Sequence, residues 1–225
     1  MRDDAQASAP SAYAYPLLIK QLLHTPFVQA PNQEIVYRGR VRMTYTTLRE
    51  RIARLANGLS GLGVQHGSTV AVMDWDSHRY LECYFAVPMM GAILQTVNIR
   101  LSNAEIAYTI NHAGAEILLV HTDFLPVLEA IKDQLETVRT FILIDERDEI
   151  DGTDSEIQAH TIPFATEYEA MLAAAPDHYD FPDFDENTRA TTFYTTGTTG
   201  LPKGVYFSHR QLVLHTITVI VCSTS

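Results

Sequence analysis

The feature that most constrains the fold is an alternation of short apolar segments with longer segments of helical periodicity. "TVAVMDW", "AILQTVN", "EILLVH" and "TFILID" are apolar and rich in residues that favour strands. Segments with helical spacing separate them along the chain. Short apolar strands joined by helices form mostly parallel sheets, which need a helical layer on each face. We therefore predict an α/β fold with a mostly parallel sheet flanked by helices.

The helical segments carry their own boundary signals. Apolar residues recur at steps of three and four between Leu48 and Leu62, which predicts an amphipathic helix. Ser77 can cap the next helix, and Ser102 and Glu105 have the spacing of a capping box at the start of a third. "FLPVLEAIKDQLETV" predicts a fourth helix.

Four other segments have simpler interpretations. "EIVYRGRVRMTY" has two β-prone runs around Arg38 and Gly39, which predicts a hairpin. The acid-rich "DERDEIDGTDSE" is typical of a solvated surface loop. A short helix is expected from Glu167 to Ala175. The segment "TRATTFYTT" is rich in β-branched and aromatic residues and predicts a strand.

Composition excludes several classes of partner and compartment. The chain has 225 residues, 46% of them hydrophobic, which is ample for a buried core. A net charge of -11 argues against broad nucleic-acid or anionic-membrane binding. Cys83 and Cys222 are too few for a disulfide framework and fit a reducing compartment. The N-terminus lacks an apolar signal region, and Leu212 to Cys222 is too short to span a bilayer. We expect a cytoplasmic protein with no transmembrane segment and no nucleic-acid partner.

Common catalytic and metal motifs are missing from the sequence. There is no HExxH, no CxxC and no GxSxG. "GLGVQHG" departs from a dinucleotide fingerprint, because a helix precedes it and its third glycine is one position late. We expect it to end that helix. His112, His121 and His215 lie in predicted helices or strands and are expected to be packed or on the surface.

"YTTGTTGLPKGV" is the one stretch whose residue types converge on a single task. Its glycines, including Gly204, let backbone N–H groups approach an anion and permit positive φ. Its threonines offer hydroxyl groups, and its lysine supplies a positive charge. The candidate phosphate-binding residues are Thr195, Thr196, Gly197, Thr198, Thr199, Gly200 and Lys203.

The surroundings of this loop distinguish it from the common NTPase phosphate loop. Lys203 follows Gly200 by three positions and stands behind Pro202, which does not match GxxxxGK[ST]. A short apolar strand follows, and then a helix that Ser208 and Gln211 can cap. An ordinary glycine-rich turn is the simpler alternative, and the full stretch disfavours it.

The loop resembles the phosphate-loop signature of the acyl-adenylate-forming superfamily of AMP-binding enzymes. "MTYTTLRERIARLANGLSGLGVQHGSTVAV" and "MMGAILQTVNIRLSNAEIAYTINHAGAEILLVH" are similar to earlier blocks of the same family. Met43 and Thr47 replace its more usual leucine and glutamate. The segment "TVNIRLS" is most similar to bacterial medium- and long-chain fatty acyl-CoA ligases. The resemblance extends from about Tyr37 to His215.

The resemblance implies a two-step reaction with ATP, Mg²⁺ and CoA. A carboxylic acid, here a fatty acid, attacks ATP to give acyl-AMP and pyrophosphate, and CoA then displaces AMP. It implies that the loop binds the ATP phosphates, with Lys203 in a catalytic role. It also implies that the Thr195 hydroxyl helps to hold Mg²⁺, with a second ligand beyond Ser225. By this resemblance, residues 1–225 are the N-terminal portion of the large AMP-binding domain.

Other segments of that family's site come after the phosphate loop and are not in this sequence. The rest of the large domain and the small C-terminal domain are then absent, so we expect the fragment alone to be inactive. Two alternatives stay open: a naturally short, non-catalytic module for phosphate binding or assembly, and an adenylation domain with another acceptor. Val213 and Ile217 are expected to pack in a core, and exposed apolar surface is expected to favour homo-oligomers.

Overall fold

The structure of the chain, a computed structural model, describes Tyr13 and residues 15–146, 160–195 and 200–223. Its strands are β1 (Glu34–Tyr37), β2 (Val41–Thr44), β3 (Thr69–Met73), β4 (Ile93–Thr96), β5 (Ala115–His121), β6 (Thr140–Ile144), β7 (Phe164–Glu167), β8 (Arg189–Thr195) and β9 (Lys203–Ser208). Its α-helices are α1 (His24–Gln29), α2 (Tyr45–Gly61), α3 (His78–Met89), α4 (Asn103–Ala113), α5 (Leu125–Ile131), α6 (Tyr168–Ala174) and α7 (His209–Ser223). Short 3-10 turns span Ile19–Leu23, Thr122–Phe124 and Lys132–Gln134.

The main sheet has seven strands in the order β7-β6-β5-β3-β4-β8-β9. The pairs from β7 to β8 are parallel, and β9 returns antiparallel to β8. Its central strand β3 is buried at every position, as expected of a strand covered on both faces. The predicted mostly parallel sheet flanked by helices is confirmed.

Each face of the sheet packs against its own helices. One apolar cluster joins α2, α3 and α6 to one set of strand side chains, including Val70 and Val72. A second joins α4 and α5 to the alternate set, including Ala71 and Met73. Successive strand side chains point to opposite faces, so one apolar strand serves both clusters.

The predicted boundary signals are confirmed at several helices and at the hairpin. The Ser77 side chain accepts a hydrogen bond at the start of α3, and Ser102 and Glu105 form the capping box of α4. β1 and β2 pair antiparallel, and Arg38 and Gly39 have φ values of 50° and 70° in the turn between them. Among the described residues, no helix combines the length and the apolar character needed to cross a membrane.

The structure corrects three expectations about local structure. The helix after Phe124 is α-helical only to Ile131 and then tightens into the 3-10 turn. β7 pairs with β6 at the sheet edge, although no strand was expected there. Ile217 is 47% exposed rather than in a core, whereas Val213 is buried as expected.

The acid-rich segment after β6 is not wholly solvated. Glu146 is 2% exposed, and its Oε2 lies 3.1 Å from Arg38 Nη1 and 3.6 Å from His121 Nε2. The prediction of a surface loop is therefore wrong for Glu146, because a nearby guanidinium offsets the cost of burying its carboxylate. Positions 147–156 of that segment lie outside the described residues.

Candidate functional site

β8 brings the candidate phosphate loop to the side of the sheet where the carboxyl ends of the parallel strands lie. It pairs in parallel with β4, with Leu94 opposite Thr191 and Gln95 opposite Thr192. Ala190, Thr191 and Thr192 are buried, so β8 is fixed as an internal strand. Its carboxyl end therefore lies at the same edge as those of β3 to β7, where open α/β sheets bind their ligands.

The last pair of the β8–β9 hairpin brings two predicted site residues together. Thr195 and Lys203 are direct cross-strand partners, and both are exposed. Side chains directly opposite each other in an antiparallel pair lie on the same face. The Thr195 hydroxyl is 3.5 Å from the Lys203 carbonyl oxygen, at the long limit of a hydrogen bond. One face of the hairpin end thus presents a hydroxyl and an ammonium group.

The Lys203 charge is available to a ligand. Its ammonium group has no ion-pair or hydrogen-bond partner in the described part of the chain. An exposed, unpaired lysine beside a hydroxyl is suited to an anion such as a phosphate group. A hydroxyl oxygen is also a ligand type that Mg²⁺ accepts, usually together with a few carboxylates and waters, so Thr195 fits the single Mg²⁺ ligand that the resemblance implies.

The glycines of the loop have different roles. Gly200 has a φ of 110°, a region that side chains rarely permit, so a glycine is required there. Gly204 was expected to serve the loop in the same way, but it is extended within β9 and lies opposite Tyr194. Thr196, Gly197, Thr198 and Thr199 lie outside the described residues, so their predicted phosphate contacts stay predictions.

The chain after β9 is fixed by the predicted cap and by a buried histidine. Ser208 N–H donates to Gln211 Oε1 at 2.9 Å, and Gln211 N–H donates to Ser208 Oγ at 3.3 Å. His209 is fully buried, and its Nδ1 accepts from the Ile19 N–H at 3.2 Å. Burial lowers the pKa of His209 to about 4, so the ring is neutral. The start of α7 is thereby held against the N-terminal segment.

A second polar group at the same edge of the sheet was not predicted from the sequence. Asp74, just after β3, accepts hydrogen bonds from the Ser77 hydroxyl and from the Trp75 N–H at 2.7 Å. Burial raises the pKa of Asp74 to about 6. His121, packed as expected, lies between Asp123 and Glu146. No sequence signal could identify this group, because its members come from three strand ends.

The other histidines and acidic residues add no metal site to the described structure. His112 contacts the Tyr194 hydroxyl, and His215 is on the surface, as expected. Within residues 13, 15–146, 160–195 and 200–223, no group of three or more His, Cys, Asp or Glu side chains is placed to hold a metal ion.

Comparison with curated proteins identifies acid–CoA ligases as relatives. The long-chain-fatty-acid–CoA ligase of Thermus thermophilus is 44% identical over 176 residues, which are 78% of this chain and 30% of the relative. The 3-methylmercaptopropionyl-CoA ligase of Ruegeria lacuscaerulensis is 36% identical over 204 residues, 89% of this chain and 36% of the relative. The chain therefore spans about a third of the length of these relatives.

Solved structures show the same fold at lower sequence identity. The anthranilate CoA ligase AuaEII in complex with anthranoyl-AMP gives a TM-score of 0.74 at 23% identity, over 87% of this chain and 36% of that one. The ATP-bound MatB from Rhodopseudomonas palustris gives 0.72 at 22% identity, over 92% and 37%. The sequence pattern of AMP-binding enzymes matches residues 24–224. The chain therefore belongs to the family of AMP-binding enzymes.

Proposed function

We propose that this chain is the N-terminal portion of the large AMP-binding domain of a fatty acyl-CoA ligase. In this proposal the remainder of that domain and the small C-terminal domain belong to the parent protein. The parent converts a carboxylic acid and ATP to acyl-AMP and pyrophosphate, and then transfers the acyl group to CoA. The observation that carries the proposal is the Thr195–Lys203 pair at the carboxyl end of β8. The fatty-acid preference is supported by the similarity to the Thermus thermophilus ligase.

The chain's own residues would position the triphosphate. The Lys203 ammonium group contacts phosphate oxygens and stabilises the negative charge that grows as pyrophosphate leaves. Thr195, with residues 196–199 and Gly200, surrounds the same phosphates and limits their movement, so that the α-phosphorus stays in line for attack. Thr195 is also the proposed protein ligand of Mg²⁺, which neutralises phosphate charge when it is bound, and the second ligand lies beyond Ser225.

The direct test of the catalytic role is the rate of pyrophosphate release by the longer protein that contains this sequence. With MgATP and a fatty acid, Lys203→Ala should slow release by about 10²-fold or more, because one charge-stabilising donor is lost. Lys132→Ala is the matched control, since that lysine lies outside the hairpin and pairs with Glu129. Equal rates for Lys203→Ala and Lys132→Ala would reject the assignment.

The same assay distinguishes the proposed fatty acyl-CoA ligase from the alternative functions. Carboxylic acids of graded length test the fatty-acid preference, and an aromatic acid tests a substrate like that of AuaEII. Turnover that consumes ATP without forming an acyl-CoA would indicate an adenylating enzyme with another acceptor. The 225-residue chain alone should form no acyl-CoA. A chain that binds MgATP and has no longer parent would instead be a phosphate-binding module.

A further inference from the structure

Tyr194 precedes the candidate phosphate residues directly and points to the other face of the hairpin. Side chains alternate along a strand, so the Tyr194 ring lies opposite the face that carries Thr195 and Lys203. The ring is 7% exposed, and its hydroxyl lies 2.8 Å from His112 Nδ1 on α4. The two rings meet edge to face, with centroids 5.7 Å apart. Burial raises the pKa of Tyr194 to about 12, so the hydroxyl stays protonated.

The same ring also covers the neighbouring strand. Gly204 on β9 is the direct cross-strand partner of Tyr194. A Cβ atom at Gly204 would lie 3.4 Å from Tyr194 Cε1, an ordinary van der Waals distance, so the ring lies close to the β9 backbone. Tyr194 therefore contacts β9 through its ring and α4 through its hydroxyl, one position before Thr195.

The His112 end of this contact is held by a well-fixed helix. α4 begins with its capping box and ends at Ala113, where Gly114 follows as the C-cap with a φ of 67°. Its Thr109 and Ile110 are buried against the sheet. The Tyr108 ring, one turn before His112, packs against it with centroids 5.5 Å apart. His112 is therefore a firm attachment point for a side chain that comes from the hairpin.

We propose that His112 and Tyr194 are positioning residues that anchor the end of the β8–β9 hairpin, and through it Thr195 and Lys203. Neither residue touches the ligand in this account. Their contact limits the opening of the last cross-strand pairs, so that the hydroxyl and the ammonium group stay on one face at a fixed separation. The role of the anchor in ligand binding rests on the proposed phosphate site. The contact between His112 and Tyr194 does not, and it can be tested in this chain without a ligand.

Amide hydrogen exchange of the 225-residue chain tests the anchor without any ligand. Tyr194→Phe keeps the ring and removes the hydroxyl, and His112→Phe keeps a ring and removes Nδ1. Each should speed exchange at the amides of Thr195, Gly204 and Val205 by roughly 3- to 10-fold, the effect expected for one hydrogen bond. The double variant should add little to either single change, because both remove the same contact.

A matched control isolates the contact from general loss of stability. Tyr206→Phe also removes one hydroxyl from the hairpin, but this hydroxyl has no hydrogen-bond partner among the described residues. Its ring, which the Arg189 guanidinium covers at 3.9 Å, is retained. Tyr206→Phe should leave hairpin exchange unchanged, and exchange in β3 and β5 should stay at the wild-type rate in all four variants.

Two results would overturn the anchor. One is hairpin exchange in Tyr194→Phe and His112→Phe that equals that of Tyr206→Phe. The other is a uniform increase over β3, β5 and the hairpin, which would indicate a loss of global stability only. A separate measurement of amide exchange is made with MgATP added. MgATP should slow exchange at Thr195 and Gly204 in the wild type and not in Lys203→Ala. If MgATP has no such effect, the phosphate site fails, while the comparison of the variants still decides the anchor.

Discussion

His209 couples the stability of the fold to pH through a single side chain. The ring is fully buried, and its pKa is lowered from 6.5 to about 4, first by burial and then by the nearby His66. Between pH 4 and 6.5 the unfolded chain therefore binds a proton at this position that the folded chain does not bind. The contribution of His209 to the free energy of unfolding must therefore increase with pH across that interval.

Urea denaturation at several pH values tests this linkage. His209→Asn keeps an acceptor for the Ile19 N–H and removes the titrating group. The slope of unfolding free energy against pH should become smaller than that of the wild type by up to about 1.4 kcal/mol per pH unit between pH 4 and 6.5. Above pH 7 the two slopes should agree. Parallel curves over the whole range would show that His209 does not carry the linkage.

Single residues also show which parts of the site the sequence could predict. Thr195, Gly200 and Lys203 could be predicted because hydroxyl, glycine and lysine side chains in one short stretch suit a phosphate. The contact of Tyr194 with His112 could not, since the two are 82 positions apart and nothing in their spacing indicates a pair. The burial of Glu146 was missed for the same reason, because its partners Arg38 and His121 come from other elements.

The cap of α4 is the clearest case of local sequence that determines an element. The Ser102 side chain accepts from the Glu105 N–H, and the Glu105 carboxylate accepts from the Ser102 N–H at 3.0 Å. Ser102→Ala should lower the free energy of unfolding by about 1 kcal/mol, as loss of an N-cap does. Ser60→Ala is the control, because Ser60 is exposed inside α2 and alanine favours a helix there.

Chemical denaturation gives both values in one experiment. An unchanged midpoint for Ser102→Ala, or a loss in Ser60→Ala as large as in Ser102→Ala, would contradict the importance of the capping box. Since α4 also carries His112, Ser102→Ala is further expected to speed amide exchange at the hairpin end.

Elements without such local signals were harder to predict. The helices α2, α3 and α4 have periodic apolar stripes and caps, so their positions could be predicted from the sequence. β7 has only four residues and none of them is buried, so its pairing with β6 left no pattern in the sequence. The tightening of the chain after Ile131 into a 3-10 turn likewise depends on how that segment meets its neighbours.

Several apolar side chains of α7 and β9 are exposed on the surface of the molecule. Leu214, Ile217 and Val219 are 42%, 47% and 52% exposed on α7, and Tyr206 is 50% exposed on β9. Apolar surface of this kind favours association. We predict that the chain self-associates and that Ile217→Lys shifts it toward the monomer. Light scattering or sedimentation measures both effects.

The control for association is an exposed apolar residue on a different element. Val28 on α1 is 65% exposed, and Val28→Lys adds the same charge as Ile217→Lys. It should leave the association state unchanged. A wild-type chain that is a monodisperse monomer would contradict the prediction, as would equal effects of the two substitutions.

The proposed function depends on a phosphate-binding site at the end of the β8–β9 hairpin. An NMR titration of the chain with MgATP can detect binding at this site, because chemical-shift changes reveal weak binding and its location. We expect the largest changes at Thr195, Gly200, Lys203 and Gly204, and we expect Lys203→Ala to abolish them. Changes that fall instead beside Asp74 and His121, or that persist at the hairpin in Lys203→Ala, would contradict it.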